Sequence, residues 1–352
     1  MSMRQASPTE SYAEARQALE RRTGIVIPVY FPPESEGAFA KALLGGTVSA
    51  CAREAADPQD ICLSADGPGL SATVAAKVAR EYGVRLVSLT ENRGKLAALR
   101  AGAAALLAVQ RLQYIITVDQ DGDHFANELV NFVRAAQHVQ HCTGAERVLV
   151  IGRRLSRHRP MGFLRGELEE LADRVLLDAL AYDAAVCGRP LRLEFATTLD
   201  EFPDFHSGYK LFSRACAADV FLPEPRLCGL PADAACRHAV EAVLCVEAVK
   251  AGTVLASVNR STWNEQPFSA FGRLDRRRMV ADKILWPCKR LNVPPAFVAQ
   301  WLANHVPRLL LGTLSPEGKE ELRGVCRLVE EGLSLPASRA SESDFPTRPA
   351  FI

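Results

Sequence analysis

Apolar and polar positions alternate along this chain in two kinds of block. The stretch Gly24-Ile25-Val26-Ile27-Pro28-Val29-Tyr30 is continuously apolar, as suits a strand buried on both faces of a parallel sheet. A helix over 36–55 and a strand Asp60-Ile61-Cys62-Leu63 follow. The pattern repeats with a helix over 70–82, a strand over 84–89, a helix over 95–110 and a strand over 114–118. In the third helix Leu96, Leu99, Ala103 and Leu106 form one stripe. Repeated strand-helix alternation predicts an α/β fold, an open, mostly parallel sheet with helices on both faces.

Further along, the pattern predicts a helix over 125–139, a strand over 147–152 and a long helix over 163–182 with Leu164, Leu168, Leu171 and Val175 on one stripe. A helix over 233–250 and a strand over 253–259 come next, and residues 275–335 read as helical. Ser7-Pro8-Thr9-Glu10 has capping-box spacing and opens an N-terminal helix. The organisation read from these blocks is an N-terminal helix in 1–22, a first α/β half in 23–150 and a second half in 151–270 that completes the same sheet. A helical extension in 271–337 and a disordered tail in 338–352 complete it.

Composition narrows the class. The 352 residues are 48% hydrophobic, ample for a large core, and 42 basic against 41 acidic residues leave a net charge of +1. So even a balance gives no reason to expect nucleic acid as a partner. The basic clusters at 153–159 and 273–278 read as solvated faces. Ten cysteines include no C-x-x-C pair, and several sit in apolar runs, so buried free thiols in a reducing cytoplasm are expected. The N-terminus carries no secretory pattern, and the Ala-rich stretch 96–109 is too short and too weakly apolar to span a bilayer.

Candidate chemistry gathers where such sheets place it, at the carboxyl ends of the strands. Tyr30, Asp66, Glu91-Asn92 and Asp119-Gln120-Asp121 fall at four consecutive strand ends. Asp119-Gln120-Asp121-Gly122-Asp123-His124 sets three carboxylates within five residues. Oxygen ligands at i and i+2 of a turn suit Mg²⁺ or Mn²⁺, which also accepts oxygens of a diphosphate. The competing reading is an acidic turn with Asp123 capping a helix that starts near Phe125. Asn92-Arg93-Gly94-Lys95 lacks the spacing of a P-loop, and no G-x-G-x-x-G follows the first strand. A lysine at a helix N-terminus opposes the helix dipole, so Lys95 is expected to face a phosphate or an acidic neighbour.

Taken in order, these residues resemble the family-2 type glycosyltransferases of GT-A, Rossmann-like fold. Ile27-Pro28-Val29-Tyr30 matches that family's I-P-x-Y, Asp66-Gly67 its D-G, Asn92-Arg93-Gly94-Lys95 its N-x-G-K, and Asp119-Gln120-Asp121 its D-x-D. Ser207-Gly208-Tyr209-Lys210-Leu211-Phe212-Ser213-Arg214 is similar to the S-G-F-R/K-L-Y-S-R segment of the polyprenol-phosphate sugar transferases, and Val150-Ile151-Gly152-Arg153-Arg154 to their V-x-G-S-R strand. The chain departs from the pattern at Phe31-Pro32-Pro33, where Asn-Glu is usual, and at Ala65, which replaces the first of two aspartates. The Q-x-x-R-W motif of processive members is absent.

The resemblance implies a donor site built from Pro28, Tyr30, Asp66, Asn92, Lys95, Asp119, Gln120 and Asp121, with Asp66 on the base and the D-x-D on ribose, metal and diphosphate. Asp119, Asp121, Asp123 and His206 are the implied ligands of Mg²⁺ or Mn²⁺. An inverting transferase also needs a carboxylate base; Asp233 is the first choice and Asp204 the second. The expected activity is transfer of a sugar from a UDP- or GDP-sugar to the hydroxyl or amine of a small-molecule or carrier-bound acceptor, by a cytoplasmic enzyme with no integral membrane segment. The alternatives are a sugar-nucleotide pyrophosphorylase and a catalytically degenerate transferase-like binding module.

Overall fold

The computed structural model describes residues 8–197, 202–263 and 275–335. Seven strands form one sheet: β1 Thr23–Val29, β2 Ile61–Ala65, β3 Arg85–Ser88, β4 Tyr114–Thr117, β5 Val148–Arg154, β6 Lys210–Ser213 and β7 Val254–Arg260. Their order is β3-β2-β1-β4-β6-β5-β7. The first four pair in parallel, with Ile25 opposite Ile61 and Ile116 and Cys62 opposite Arg85. β5 and β7 are parallel to each other, and β6 runs antiparallel between β4 and β5. The sheet is therefore mostly parallel, as the pattern predicted. The reversed β6 was not foreseen, because a four-residue buried strand reads the same in either direction.

The helices are α1 Pro8–Arg22, α2 Gly37–Ala52, α3 Leu70–Tyr82, α4 Lys95–Leu107, α5 Leu129–Thr143, α6 His158–Met161, α7 Phe163–Val186, α8 Arg214–Phe221, α9 Val240–Lys250, α10 Arg276–Arg290, α11 Pro295–His305, α12 Leu311–Leu314 and α13 Gly318–Gly332. Strand residues alternate between two cores. Ile25, Ile27 and Val29 face α1, α2, α3 and α5, while Val26, Ile115 and Leu149 face α4, α7, α8 and α9. This period-2 division shows why the central strands β1, β2 and β4 are buried throughout: each face has its own layer of helices. The stripe Leu96, Leu99, Ala103 and Leu106 on α4 is buried. Gly102 lets that helix sit close to the sheet, since a Cβ there would lie 2.7 Å from Val26. The C-terminal helices α10 to α13 add to the α4 side, with α10 and α11 packed on α7.

Three local expectations are corrected. A short 3₁₀ turn, Ala126–Glu128, precedes α5, so Asp123 caps no helix. A π-turn over Ala234–His238 stands where an unbroken helix over 233–250 was predicted, and α9 starts at Val240. The basic clusters are not simply solvated. Arg154 is buried and Arg157 nearly so, both in ion pairs with Asp204, while Arg276 and Arg277 pair with Glu321 of α13. The capping serine Ser7, Arg273 and the tail 338–352 lie outside the described residues. No described helix is long and apolar enough to cross a membrane.

Candidate active site

The loops after β1 to β4 meet at one edge of the sheet. Asp66, just past β2, accepts hydrogen bonds from the backbone N–H groups of Arg93 at 2.7 Å and Gly94 at 2.9 Å. Burial raises its carboxyl above the usual range although those two N–H groups oppose the shift. Gly67 has φ +91°, and a Cβ there would lie 2.7 Å from the Asn92 nitrogen. Asp66-Gly67 thus grips the Asn92–Gly94 loop in a shape only glycine permits. Asn92 is exposed, and its carbonyl accepts from Arg237 at 2.9 Å. Gly94, with φ +94°, abuts the 234–238 turn, where a Cβ would come within 2.5 Å of the Cys236 carbonyl oxygen.

Lys95 opens α4 and does face acidic neighbours. Its Nζ stands 2.7 Å from Oδ1 of Asp119 and 2.8 Å from Oε1 of Glu241 on α9. Burial, which lowers a lysine, is outweighed by the two carboxylates, and the ammonium is held well above its usual range. Burial likewise favours a neutral Asp119, but Lys95 wins and holds it below the usual carboxylate range. The same contest keeps Glu241 at about 2, with Lys95, Lys210 and Lys283 lowering it against burial. His124 accepts from the Asp119 backbone N–H through Nδ1 at 2.9 Å and stacks on Tyr209. Burial holds its pKa well below the ordinary value, so it is neutral with its proton on Nε2, 3.7 Å from Asp119.

Gln120 is a clamp. Its amide both donates to the Tyr30 carbonyl at 2.6 Å and accepts from the Tyr30 N–H at 2.8 Å, tying β4 to β1. Its own carbonyl accepts from Thr47 of α2 at 3.0 Å. Tyr30 stays partly exposed, and Pro28 is buried within β1. Asp121 is 9% exposed; one carboxylate oxygen accepts from the Asp123 N–H at 3.1 Å, and the other has no protein partner among the described residues. Burial and the charge of Asp119 push its carboxyl up to about 7. Asp123 is committed elsewhere: Arg260 donates to Oδ2 at 3.0 Å and the Trp263 N–H to Oδ1 at 3.0 Å. It latches the end of β7 to the turn.

The segment before β6 closes the site from the other side. Lys210 is fully buried, with its ammonium donating to the carbonyls of Phe205, at 3.0 Å, and Ser207. That holds the turn in a ring that brings Gly208 against Asp119. His206 donates its backbone N–H to Asp173 at 3.2 Å and has Nδ1 at 2.7 Å from the same oxygen; its Nε2 is buried without a partner among the described residues. Asp204 is sealed in, bonded by the side chain of Arg154 at 2.5 and 2.8 Å and near Arg157 at 3.5 Å. Asp233 lies on the surface, paired with Arg237 at 2.7 Å.

The structure therefore brings Tyr30, Asp66, Asn92, Lys95, Asp119, Gln120 and Asp121 to one edge, with His206 behind the Gly208 turn and Asp233 and Asp204 set apart. Sequence reasoning missed Glu241 and gave Gly208 and Lys210, though part of the Ser207–Arg214 motif, no role in the site. No spacing signals Glu241, since only the placement of α9, through the 234–238 turn that packs on α4, sets it beside Lys95. Among the described residues no three His, Cys, Asp or Glu side chains are arranged to hold a metal. Asp121 nonetheless fits a hard divalent cation, having an unpartnered oxygen and a neighbouring charge that a cation would offset. The remaining positions of a Mg²⁺ or Mn²⁺ shell are filled by water and phosphate oxygens in such sites.

A mostly parallel sheet with a D-x-D turn and an N-x-G-K loop side by side at its carboxyl edge defines a glycosyltransferase of the GT-A fold. The sequence profile of glycosyl transferase family 2 matches residues 25–221, over half of the chain, and the chain belongs to that family. The chain is also similar to solved structures. Glucosyl-3-phosphoglycerate synthase from Mycobacterium tuberculosis in complex with phosphoglyceric acid is 18% identical over 83% of this chain and 86% of that one, TM-score 0.49. The same synthase in complex with Mn²⁺, uridine diphosphate and glucosyl-3-phosphoglycerate is 18% identical over 82% and 86%, TM-score 0.46. TarS 1–349 of S. aureus is 12% identical over 89% and 81%, TM-score 0.43. No curated protein matches the chain significantly.

Proposed function

We propose that this glycosyltransferase moves a sugar from a nucleoside-diphosphate donor, a UDP- or GDP-sugar, to the hydroxyl or amine of an acceptor, with Mg²⁺ or Mn²⁺ held at Asp121. One observation carries the reading: Asp121, with one oxygen unpartnered among the described residues, adjoins the chain Asp119–Lys95–Glu241. A cation there supplies charge to offset the negative charge growing on the leaving diphosphate. Lys95, fixed between Asp119 and Glu241, offers a second point of charge for phosphate oxygens. Asp66 supports the site through the Asn92–Gly94 loop, and Gln120 holds Tyr30 in place.

The base is assigned here to Glu241 rather than Asp233 or Asp204. Asp233 is exposed and bound to Arg237, while both Asp204 oxygens are taken by guanidinium groups in the interior. Glu241 is partly accessible and linked through Lys95 to the D-x-D turn. Lys95 keeps it weakly basic at about 2. A diphosphate that draws the Lys95 ammonium toward itself raises the basicity of Glu241, coupling donor binding to proton removal from the acceptor.

The test is thermal-shift screening with UDP- and GDP-sugars, with and without Mn²⁺. A stabilisation that needs both nucleotide and metal supports the reading, and none with any pair refutes it.

A further inference from the structure

Behind the Asp121 turn, on the α2 side of the sheet and away from Lys95 and Glu241, lies a cleft of about 550 Å³. One wall is the outward face of α2, where Ala42, Gly46 and Ala50 recur four residues apart and form a shallow apolar floor. The opposite wall is Trp263, half exposed, yet held rigidly. Its indole Nε1–H donates to the Gly122 carbonyl at 3.0 Å, its backbone N–H to Asp123 at 3.0 Å, and Phe125 packs against it edge-on. A large aromatic surface fixed in this way and left open to solvent is a ready platform for a ring. Asn127 at the rim is exposed, and its amide makes no hydrogen bond among the described residues.

We infer that this cleft binds a neutral pyranose ring, on the α2 side of the Asp121 turn and beside the proposed nucleotide site, with Asp121 bordering both. Its volume lies in the range of small-molecule pockets, which are mostly apolar with a few polar groups. A pyranose presents an apolar face of C–H groups and a polar edge of hydroxyls. The floor and the indole match the face, and Asn127, Arg53 and Glu54 match the edge. Charge argues against a nucleotide in the same space. Of the charged side chains that line it, Glu54 is paired with Arg16, which leaves Asp121 and the single cation Arg53, so its side chains offer no cluster of positive charge for phosphates.

Gly46 makes the inference testable. A Cβ built there meets nothing within 4 Å, so a larger side chain enters the cleft rather than the core. The position is inside a helix, where leucine is more favourable than glycine. Saturation-transfer NMR titrations would use the methyl pyranosides of glucose, galactose, mannose and N-acetylglucosamine, on the wild-type protein and on Gly46→Leu. Ala42→Leu, one turn earlier, is the second filling variant should Gly46→Leu fail to fold. Saturable binding of at least one glycoside is expected, weakened about tenfold or more by filling the cleft. UDP binding with Mn²⁺, followed in parallel, should be equal in both proteins. Its absence from both would count against the nucleotide reading and leave the sugar result standing. Absence of any saturable glycoside binding, or equal affinity in the filled variant, overturns the inference.

Discussion

A Cβ on Gly208 would stand 2.6 Å from Oδ2 of Asp119 and 3.2 Å from Nζ of Lys95. The glycine is therefore required by the site rather than by its own backbone, and it leaves room for a carboxylate that must not move. Gly208→Ala is expected to displace Asp119 and Lys95 while leaving the fold intact. Nucleotide affinity should fall about tenfold or more, with a change in melting temperature of no more than a few degrees. Calorimetry beside a melting curve checks this, and undiminished affinity would show that Asp119 is not part of the donor site.

Asp121→Asn is expected to abolish transfer without unfolding the chain. Asparagine keeps the shape and one oxygen for the Asp123 N–H, but it removes the charge that a hard cation needs. Loss of one preorganised electrostatic group costs roughly 10²–10³-fold in rate, and loss of a dication at least as much. Turnover at saturating donor and Mn²⁺, with a melting curve, is the measurement. Retained turnover removes the metal from Asp121.

The pH dependence follows from the same residue. Burial and Asp119 push the Asp121 carboxyl up to about 7, whereas an unfolded aspartate titrates near ~3.9. Between those values the folded, metal-free protein keeps a proton that the unfolded chain releases. The contribution of this group to stability therefore falls as pH rises from about 4 to about 7. A cation requires the deprotonated form, so Mn²⁺ affinity should weaken about tenfold per pH unit below about 7. Calorimetric Mn²⁺ titrations across this window, with Asp121→Asn as the control, check both signs. An affinity that is flat with pH excludes Asp121 as the ligand.

Glu241→Gln is expected to preserve nucleotide binding and lower transfer about 10²–10⁴-fold, the usual cost of losing a positioned base. Asp233→Asn, at an exposed ion pair, should change turnover little. The reverse pattern, with Asp233→Asn inactive and Glu241→Gln active, would return the base to the loop before α9.

Much of this protein was legible in its sequence. The parallel half of the sheet follows from apolar runs and helical stripes, because a period in one dimension already dictates which face is buried. The turn Asp119-Gln120-Asp121 was visible for a similar reason: three carboxylates crowded after a buried strand call for a compensating charge. What the sequence left open is which polar groups remain free once the chain is folded. Asp121 and Asp123 read alike as letters two apart, yet Arg260 and Trp263, from well over a hundred residues away, bind both oxygens of Asp123 and leave one of Asp121 without a partner among the described residues. Asp204 looked as available as Asp233 until the guanidinium of Arg154 closed on it. Glu241 had no motif at all, and its place beside Lys95 arises from the packing of α9 on the α4 side of the sheet. Hydrophobic pattern is written locally, whereas the pairing of charges depends on contacts between residues remote in the chain, and those only the tertiary fold decides.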